Sequence, residues 1–417
     1  MIKRKLISGL KSHLSRKEIS FIVGPRQAGK TTLMLFLKDY LDKKGAKTLF
    51  LNLDIESDRQ FFSSQSDLIK KIQLEIGSER GFVFIDEIQR KEDAGIFLKG
   101  IYDMNLPYKF LISGSGSVEL KEKIHESLLG RKRMFPLSTL SFEEFVNFKT
   151  NYRYENKLRE FFALDQYKTK ELLQEYLNFG GYPRVVLENL REEKRKLINE
   201  IYQSYLERDI SYLLKVRKTE NFTNLFKILA GQVGNLFNAA EVSRTLGTSQ
   251  KTLKDYIWYL QKTFIVNKVT PYYRNIRKEI TKSPVFYFYD LGLRNFALGA
   301  FGNLVNAYEM GSVFENFVFN LLKDQFQNSS TEIHFWRTKE GAEVDFVIDN
   351  GRVPFPVEVK YRKLKNPEIS RSFRSFAHKY KPQRGYIVNL GLEKDMALGK
   401  TKVQFLPFYK LIGGKIK

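Results

Sequence analysis

Gly24 and Gly29 enclose four residues and are followed at once by Lys30 and Thr31, in the run Gly24-Pro25-Arg26-Gln27-Ala28-Gly29-Lys30-Thr31-Thr32. Glycines at this spacing let the backbone curl until successive N–H groups face one point, which suits a phosphate. A lysine there can reach the β- and γ-phosphates of a nucleotide, and the threonine hydroxyl is a hard oxygen ligand for Mg²⁺. Asp86 and Glu87 close the apolar run Gly81-Phe-Val-Phe-Ile. Asp86 could hold the water shell of the metal, and Glu87 could orient and polarise an attacking water. A third set comprises Glu315, Asp345, Glu358 and Lys360. Asp345 and Glu358 offer the oxygen ligands that Mg²⁺ prefers, and Lys360 could steady a pentavalent phosphorus or lower the pKa of a nucleophile.

The flanking elements fit these roles. The apolar run Ile19-Ser-Phe-Ile-Val23 precedes the loop, and a helical pattern from Thr32 to Leu41 follows it. This is the strand–loop–helix context that a phosphate loop requires. Ala46–Asp54 reads as a second strand and Gly81–Asp86 as a buried one. The strand Tyr108–Ile112 ends in Ser113-Gly114-Ser115-Gly116, so Ser113 or Ser115 is placed to sense a γ-phosphate. A helix over Val118–Leu129 leads to Gly130-Arg131-Lys-Arg133 and a further strand, Met134–Leu137. Arg131 is a candidate arginine finger, which in trans would call for a homo-oligomer; a basic helix end is electrostatically favourable in any case.

The phosphate loop, Phe84-Ile-Asp-Glu87, Ile112-Ser-Gly-Ser115, Glu126-Ser-Leu-Leu-Gly-Arg131 and Pro136-Leu-Ser138 occur in order. Gly180-Gly-Tyr-Pro183, Tyr205-Leu-Glu-Arg-Asp209 and Lys282-Ser-Pro284 follow. Together they resemble an archaeal and bacterial family of AAA-type ATPases with a poorly characterised carboxyl-terminal region. The resemblance implies an α/β P-loop NTPase core, a parallel sheet with a strand inserted between those bearing Lys30 and Asp86. It also implies ATP and Mg²⁺ as cofactors and ATP hydrolysis as the activity. Relatives commonly read Thr-Gly-Ser-Ser where this chain has Ser113-Gly114-Ser115-Gly116.

From Phe142 to Val216, Leu, Phe and Tyr recur at three- and four-residue spacing, which predicts helices. Gly180-Gly181-Tyr-Pro183 predicts a sharp interhelical turn. The segment resembles the helical lid of AAA-type proteins, from which Arg184 or Arg208 could reach a phosphate. Phe237–Leu246, Gly247-Thr-Ser249 and Gln250–Leu260 read as helix, turn and helix, with Thr248 or Ser249 as N-cap. Strands over Phe264–Val269 and Val285–Tyr289 enclose a basic loop, giving the outline of a winged helix. Lys251, Lys254, Arg274, Arg277 and Lys278 could meet DNA phosphates. Winged helices also serve as protein docking modules.

Glu315 falls on an amphipathic helix, Ser312–Phe326; Asp345 lies in the strand Ala342–Ile348, and Glu358-Val-Lys360 ends the strand beginning at Pro356. Asp349-Asn-Gly351 joins the strands as a hairpin. Alternation puts Glu343 with Asp345 on one face and Glu358 with Lys360 on one face. The pattern resembles the PD-(D/E)xK nuclease core with Glu315 as its helix glutamate, although Val344 stands where proline is usual. A solvated, acid-rich hairpin would give the same alternation. His334 and Trp336 read as packing residues. These boundaries divide the chain into an ATPase core over 1–141, a lid over 142–217, a winged-helix-like domain over 218–295 and a nuclease-like domain over 296–417.

Composition narrows the rest. The 417 residues exceed a single core. Lys plus Arg is 70 against 47 for Asp plus Glu, a net charge of +23. So large an excess points to a polyanionic partner such as DNA, or to a lysine-rich thermophilic surface. With no cysteine and four scattered histidines, thiol chemistry, disulfides and histidine-rich metal sites are excluded. No apolar run reaches the ~20 residues of a membrane span, and no signal-peptide pattern opens the chain, so a cytoplasmic protein is expected. Two functions remain: an ATPase coupled to a DNA-directed, nuclease-like module, or a nucleotide-switched scaffold that cuts nothing.

Overall fold

The computed structural model describes residues 2–115, 127–206, 219–273, 282–304, 307–327, 329–414 and 416. The chain forms two compact units: 1–140 with 182–187 and 257–265, and 141–181 with 188–256 and 266–417.

The first unit is built on five strands, β1 (Ile19–Gly24), β2 (Thr48–Asn52), β3 (Gly81–Asp86), β4 (Tyr108–Ser115) and β5 (Lys132–Pro136). All neighbouring pairs are parallel and the spatial order is β2-β3-β4-β1-β5. β4 therefore sits between β1 and β3, the inserted strand expected from the sequence. β1 and β3 are buried throughout and largely apolar, with Ser20 and Asp86 as their polar residues, as in a sheet covered on both faces. Phe21, Val23, Val83, Ile85, Phe110 and Ile112 pack with the helices Gln65–Ile76 and Ala94–Asp103. Ile22, Phe84 and Leu111 pack with Leu33, Met34 and Leu37 of the helix Lys30–Asp42, and with Leu10. The result is a three-layer α/β/α unit. The expected helix Val118–Leu129 lies almost wholly outside the described residues.

The second unit holds helices at Phe142–Lys149, Leu158–Leu164, Gln166–Phe179 and Arg191–Ser204. The first is opened by a capping box in which Ser141 and Glu144 satisfy each other's backbone N–H. Phe142 is the hub of an aromatic cluster with Phe145, Phe162, Tyr176, Phe317 and Phe408. The segment expected as a lid thus shares one core with the carboxyl-terminal residues.

Three helices, Thr219–Gly231, Ala239–Thr245 and Gln250–Lys262, precede an antiparallel ribbon of β6 (Val266–Val269) and β7 (Val285–Phe288). Ser249, one of the two N-caps expected, accepts the Thr252 N–H at 3.0 Å. Then come the helix Ala307–Phe326, strands β8 (Glu332–Arg337), β9 (Glu343–Asp349) and β10 (Phe355–Val359), the helix Arg371–Tyr380, and β11 (Arg384–Asn389). β12 (Lys394–Leu398) and β13 (Thr401–Pro407) complete a sheet of order β12-β13-β11-β10-β9-β8. β8, β9 and β10 form an antiparallel meander, and β10 runs parallel to β11 across the helix Arg371–Tyr380.

Gly180-Gly181 makes its turn against Asp290, whose carboxylate accepts Gly181 N–H at 2.8 Å and Leu293 N–H at 2.9 Å. Gly292 lies so close that a Cβ there would overlap the Phe179 carbonyl. Gly292→Ala is therefore expected to destabilise the protein by about 1–3 kcal/mol in urea unfolding. Gly311→Ala, inside the helix Ala307–Phe326 with open space around it, should stabilise by about 0.5–1 kcal/mol. Equal effects of the two would contradict this packing.

Candidate functional site: a phosphate loop and an acidic cluster

The loop after β1 owes its shape to two glycines. A Cβ on Gly24 would overlap the Leu137 carbonyl, which is drawn close because Leu137 N–H bonds Val23 O at 2.7 Å. Gly29 holds φ +92 as the N-cap of the helix Lys30–Asp42. A side chain at either position would push the loop open. Gln27 is also left-handed, at φ 56. Lys30 is buried, and its ammonium donates to Gly24 O at 3.2 Å and Pro25 O at 2.8 Å. That places its charge within the hollow of the loop.

Asp86, at the carboxyl end of β3, has no exposure to solvent. The Thr31 hydroxyl donates to its Oδ2 at 2.6 Å, and the Ser113 hydroxyl donates to its Oδ1. Oδ1 also accepts the Glu87 N–H at 3.1 Å. Glu87 occupies the left-handed region at φ 56, a strained conformation for a non-glycine residue that turns its side chain out of the strand direction. The Gln89 amide donates to Glu87 Oε2. Burial pushes the Glu87 carboxyl above its ordinary value; Lys30 opposes that shift and Asp86 reinforces it. Ser115 pairs in register with Gly24, which puts its backbone beside the loop; its side chain lies outside the described residues.

Two further contacts were not legible in the motif. Arg4 sends one guanidinium nitrogen to Ala28 O at 2.9 Å and another to Ser138 O at 2.6 Å. Arg184 donates to Gln27 Oε1 at 3.1 Å, while Pro183 stands beside Gly29. Arg208 lies outside the described residues. Arg131 is not brought to this site. Its carbonyl accepts Ile19 N–H at the start of β1, and its guanidinium bonds Asp103 at 2.8 Å. The loop is at the other end of β1, five residue steps or roughly 17 Å away.

In the second unit the β9–β10 register pairs Phe346 with Val357, so the next pair is Asp345 with Glu358 on one face. Glu358 is only 4% exposed, which removes the reading of a solvated hairpin. Its Oε2 accepts the Ser370 hydroxyl at 2.8 Å, and its Oε1 pairs with Lys360 at 2.6 Å. Asp345 Oδ2 accepts the Val359 N–H at 2.7 Å. Glu315 comes from the helix Ala307–Phe326, and its Oε1 accepts the Tyr287 hydroxyl at 2.6 Å. Tyr287 is buried and stacked on Phe319, with ring centroids 4.6 Å apart. Among the described residues no three histidine, aspartate or glutamate side chains gather closely enough to form a metal cage.

Sequence reasoning missed Tyr287 and Ser370. The second carried a signal, because Ser370 is an N-cap serine accepting Phe373 N–H at 3.0 Å. Tyr287 carried none. Lys251 and Lys254 are exposed on the helix Gln250–Lys262; Arg274, Arg277 and Lys278 lie outside the described residues. His334 and Trp336 are buried, Trp336 against Phe376 and Tyr380.

Burial pushes Glu315 up to about 8, and the Asp345 charge adds to it while the Tyr287 hydroxyl opposes it. Burial likewise pushes Asp345 up to about 7, opposed by the Val359 N–H and reinforced by Glu358. An acid whose folded pKa is raised stabilises the fold fully below its unfolded pKa, and that stability drains away as pH rises through the folded value. Stability from this pair should fall between about pH 4.5 and 8. Glu315→Gln should flatten that fall, gaining about 2–4 °C in Tm relative to wild type between pH 5.5 and 8. Parallel curves for the two proteins would show that Glu315 does not titrate there.

Comparison with known proteins agrees with this geometry. A model described as an AAA domain matches residues 16–146. Two described as domains of unknown function, DUF8612 and DUF4143, match residues 170–303 and 310–411. An uncharacterised protein of Mycobacterium tuberculosis is 27% identical over 376 residues, covering 89% of this chain and 76% of its own. One from Haemophilus influenzae is 28% identical over 301 residues, covering 70% and 72% respectively. One from Methanocaldococcus jannaschii is 25% identical over 426 residues, covering 98% and 91%. Among solved structures, the Aeropyrum pernix ORC1 protein in complex with DNA overlaps with a TM-score of 0.30 at 11% identity, over 70% of this chain and 91% of that one. AMPPCP-bound DnaA from Aquifex aeolicus gives 0.29 at 13% identity, over 62% and 86%. These structural overlaps are too loose to bear on function. The phosphate loop, the strand order and the matched model give the parallel-sheet unit the fold of an AAA-type P-loop NTPase domain, while residues 310–411 match the DUF4143 model and form a separate sheet.

Proposed function

We propose that this protein binds Mg·ATP in the loop Gly24–Thr31, hydrolyses it with Glu87 as general base, and couples turnover to a DNA-directed module formed by the rest of the chain. The observation that carries the reading is the buried Asp86 carboxylate, bonded to Thr31 and Ser113 with Glu87 adjacent. The donor set suits Mg²⁺: Thr31 and Asp86 present hard oxygens side by side and would hold it. When bound, the ion offsets charge on the β- and γ-phosphates.

The chain's own groups do the remaining work. Gly24 to Thr32, with Pro25, Arg26, Gln27 and Ala28, line the cradle, and Lys30 pairs with the terminal phosphates. Glu87, made more basic by burial, takes the proton of the attacking water, and the Gln89 amide fixes its orientation. Ser113 and Ser115 end the strand that faces the γ-phosphate, and Arg184 adds positive charge at Gln27. Arg131, remote from its own loop and bonded to Asp103, would act as a finger only in trans, on a neighbouring subunit. In this reading 1–141 is the engine, 142–217 the lid, 218–295 a winged helix and 296–417 a nuclease-like domain.

Glu87→Gln is expected to retain ATP and to lose at least about a hundredfold in phosphate release. Turnover at the wild-type rate would take Glu87 out of the mechanism.

The DNA-directed part rests on the +23 charge and the exposed Lys251 and Lys254. The order helix, three-strand meander, helix, parallel strand, with Asp345 on the second strand and Glu358 and Lys360 at the third, supports a nuclease-like core. A non-cutting variant of the reading is favoured by one observation. Among the described residues no three carboxylate or histidine side chains gather closely enough to form a metal cage, so no cleavage step is assigned to Asp345, Glu358 and Lys360. Binding to duplex DNA should weaken by at least about a hundredfold between ~50 and ~200 mM salt. Plasmid incubated with Mg²⁺ and either wild type or Asp345→Ala should show equal background nicking. Nicking by the wild type alone would make the domain a working nuclease.

A further inference from the structure

Arg4 is nine-tenths buried, with its guanidinium against the outer side of the phosphate loop. It donates to Ala28 O at 2.9 Å and, on the far side, to Ser138 O at 2.6 Å and Thr139 O at 3.4 Å. The segment Ser138–Thr139 is itself fixed, because Leu137 is bonded to Val23 in the strand that launches the loop. Arg4 therefore ties the last turn of the loop to a rigid strand end. The planar fork of an arginine fixes the angle between the carbonyls it holds, which the freely rotating ammonium of a lysine does not.

The peptide between Ala28 and Gly29 is trans, as every peptide among the described residues is. In a trans peptide the C=O and the next N–H point in opposite directions. Fixing the Ala28 carbonyl outward onto Arg4 consequently turns the Gly29 N–H inward, toward the hollow that Lys30 occupies. Gly29 at φ +92 then carries the chain into the helix without turning that N–H away. From this geometry we propose that Arg4 is a positioning residue for nucleotide binding: it sets the Gly29 amide, and with it the loop, to receive a phosphate oxygen before the ligand arrives. The inference deepens the ATPase reading and rests on it. It assigns a nucleotide-site role to the amino-terminal segment, which carries no motif.

The test uses the full chain, with mant-ATP and Mg²⁺ for binding and phosphate release for turnover. Arg4→Ala should weaken mant-ATP binding by about tenfold, the loss of one well-set hydrogen bond to a charged group. KM should rise in step while kcat stays within about twofold, since Glu87 and Asp86 are untouched. Arg4→Lys, which keeps the charge but lacks the planar fork that fixes the two carbonyls relative to each other, should recover part of the affinity; it also serves if Arg4→Ala does not fold. Affinity equal to wild type in either folded variant, with only Tm lowered, would make Arg4 a packing residue and overturn the proposal. Lys30→Ala is the control: if neither wild type nor Lys30→Ala binds mant-ATP, the ATPase reading fails instead.

Discussion

A carboxylate with no contact with water must be solvated by the protein around it, and Asp86 is solvated by hydroxyls from two other elements. Leaving such a charge unpaired costs several kcal/mol, so its partners are under strong constraint. Thr31 can reach it only because the helix after the phosphate loop starts beside the carboxyl end of β3. Ser113 can reach it only because β4 is inserted between β1 and β3. The strand order, the loop and the acid are therefore one arrangement. Moving any of the three leaves a buried charge without its hydrogen bonds.

The same economy governs the loop itself. Gly24 has no Cβ because the chain leaving β5 passes against it, and that passage is secured by the bond from Leu137 to Val23. Arg4 draws on the same strand end. A cradle of backbone amides has little stiffness of its own, so its shape depends on what stands behind it. Here that support comes from the start of the chain and from the segment after the fifth strand.

The second unit solves a different problem. The Asp345 charge helps burial raise Glu315, and each acid accepts from a donor outside its own element: the Tyr287 hydroxyl for Glu315, the Val359 N–H for Asp345. Asn316, next to Glu315, bonds both the N–H and the C=O of Phe288 at 2.8 Å, one residue from Tyr287. The β6–β7 ribbon and the acid-bearing helix are thereby joined by side chain and backbone alike. Tyr287 from the ribbon thus reaches the acid carried by the helix.

Motif and period determined much of this protein. The glycines, Lys30 and Thr31, the apolar strands ending in Asp86 and Ser113, and the helix–turn–helix before β6 were legible, because each depends on local backbone demands or on alternation along one element. The hairpin pairing Asp345 with Glu358 was legible for the same reason, since a turn and a period of two decide which side chains share a face. What surrounds those groups was decided by the tertiary structure. That Arg131 faces Asp103 rather than the loop depends on which end of the sheet it enters. That Glu358 is held by Ser370, and that Tyr287 and Arg4 belong to the sites at all, follows from contacts between residues 12 to 134 positions apart. A hydrogen bond across such a distance leaves no periodic trace in the sequence: one tyrosine or one arginine in a patterned stretch looks like any other until the fold sets its partner beside it.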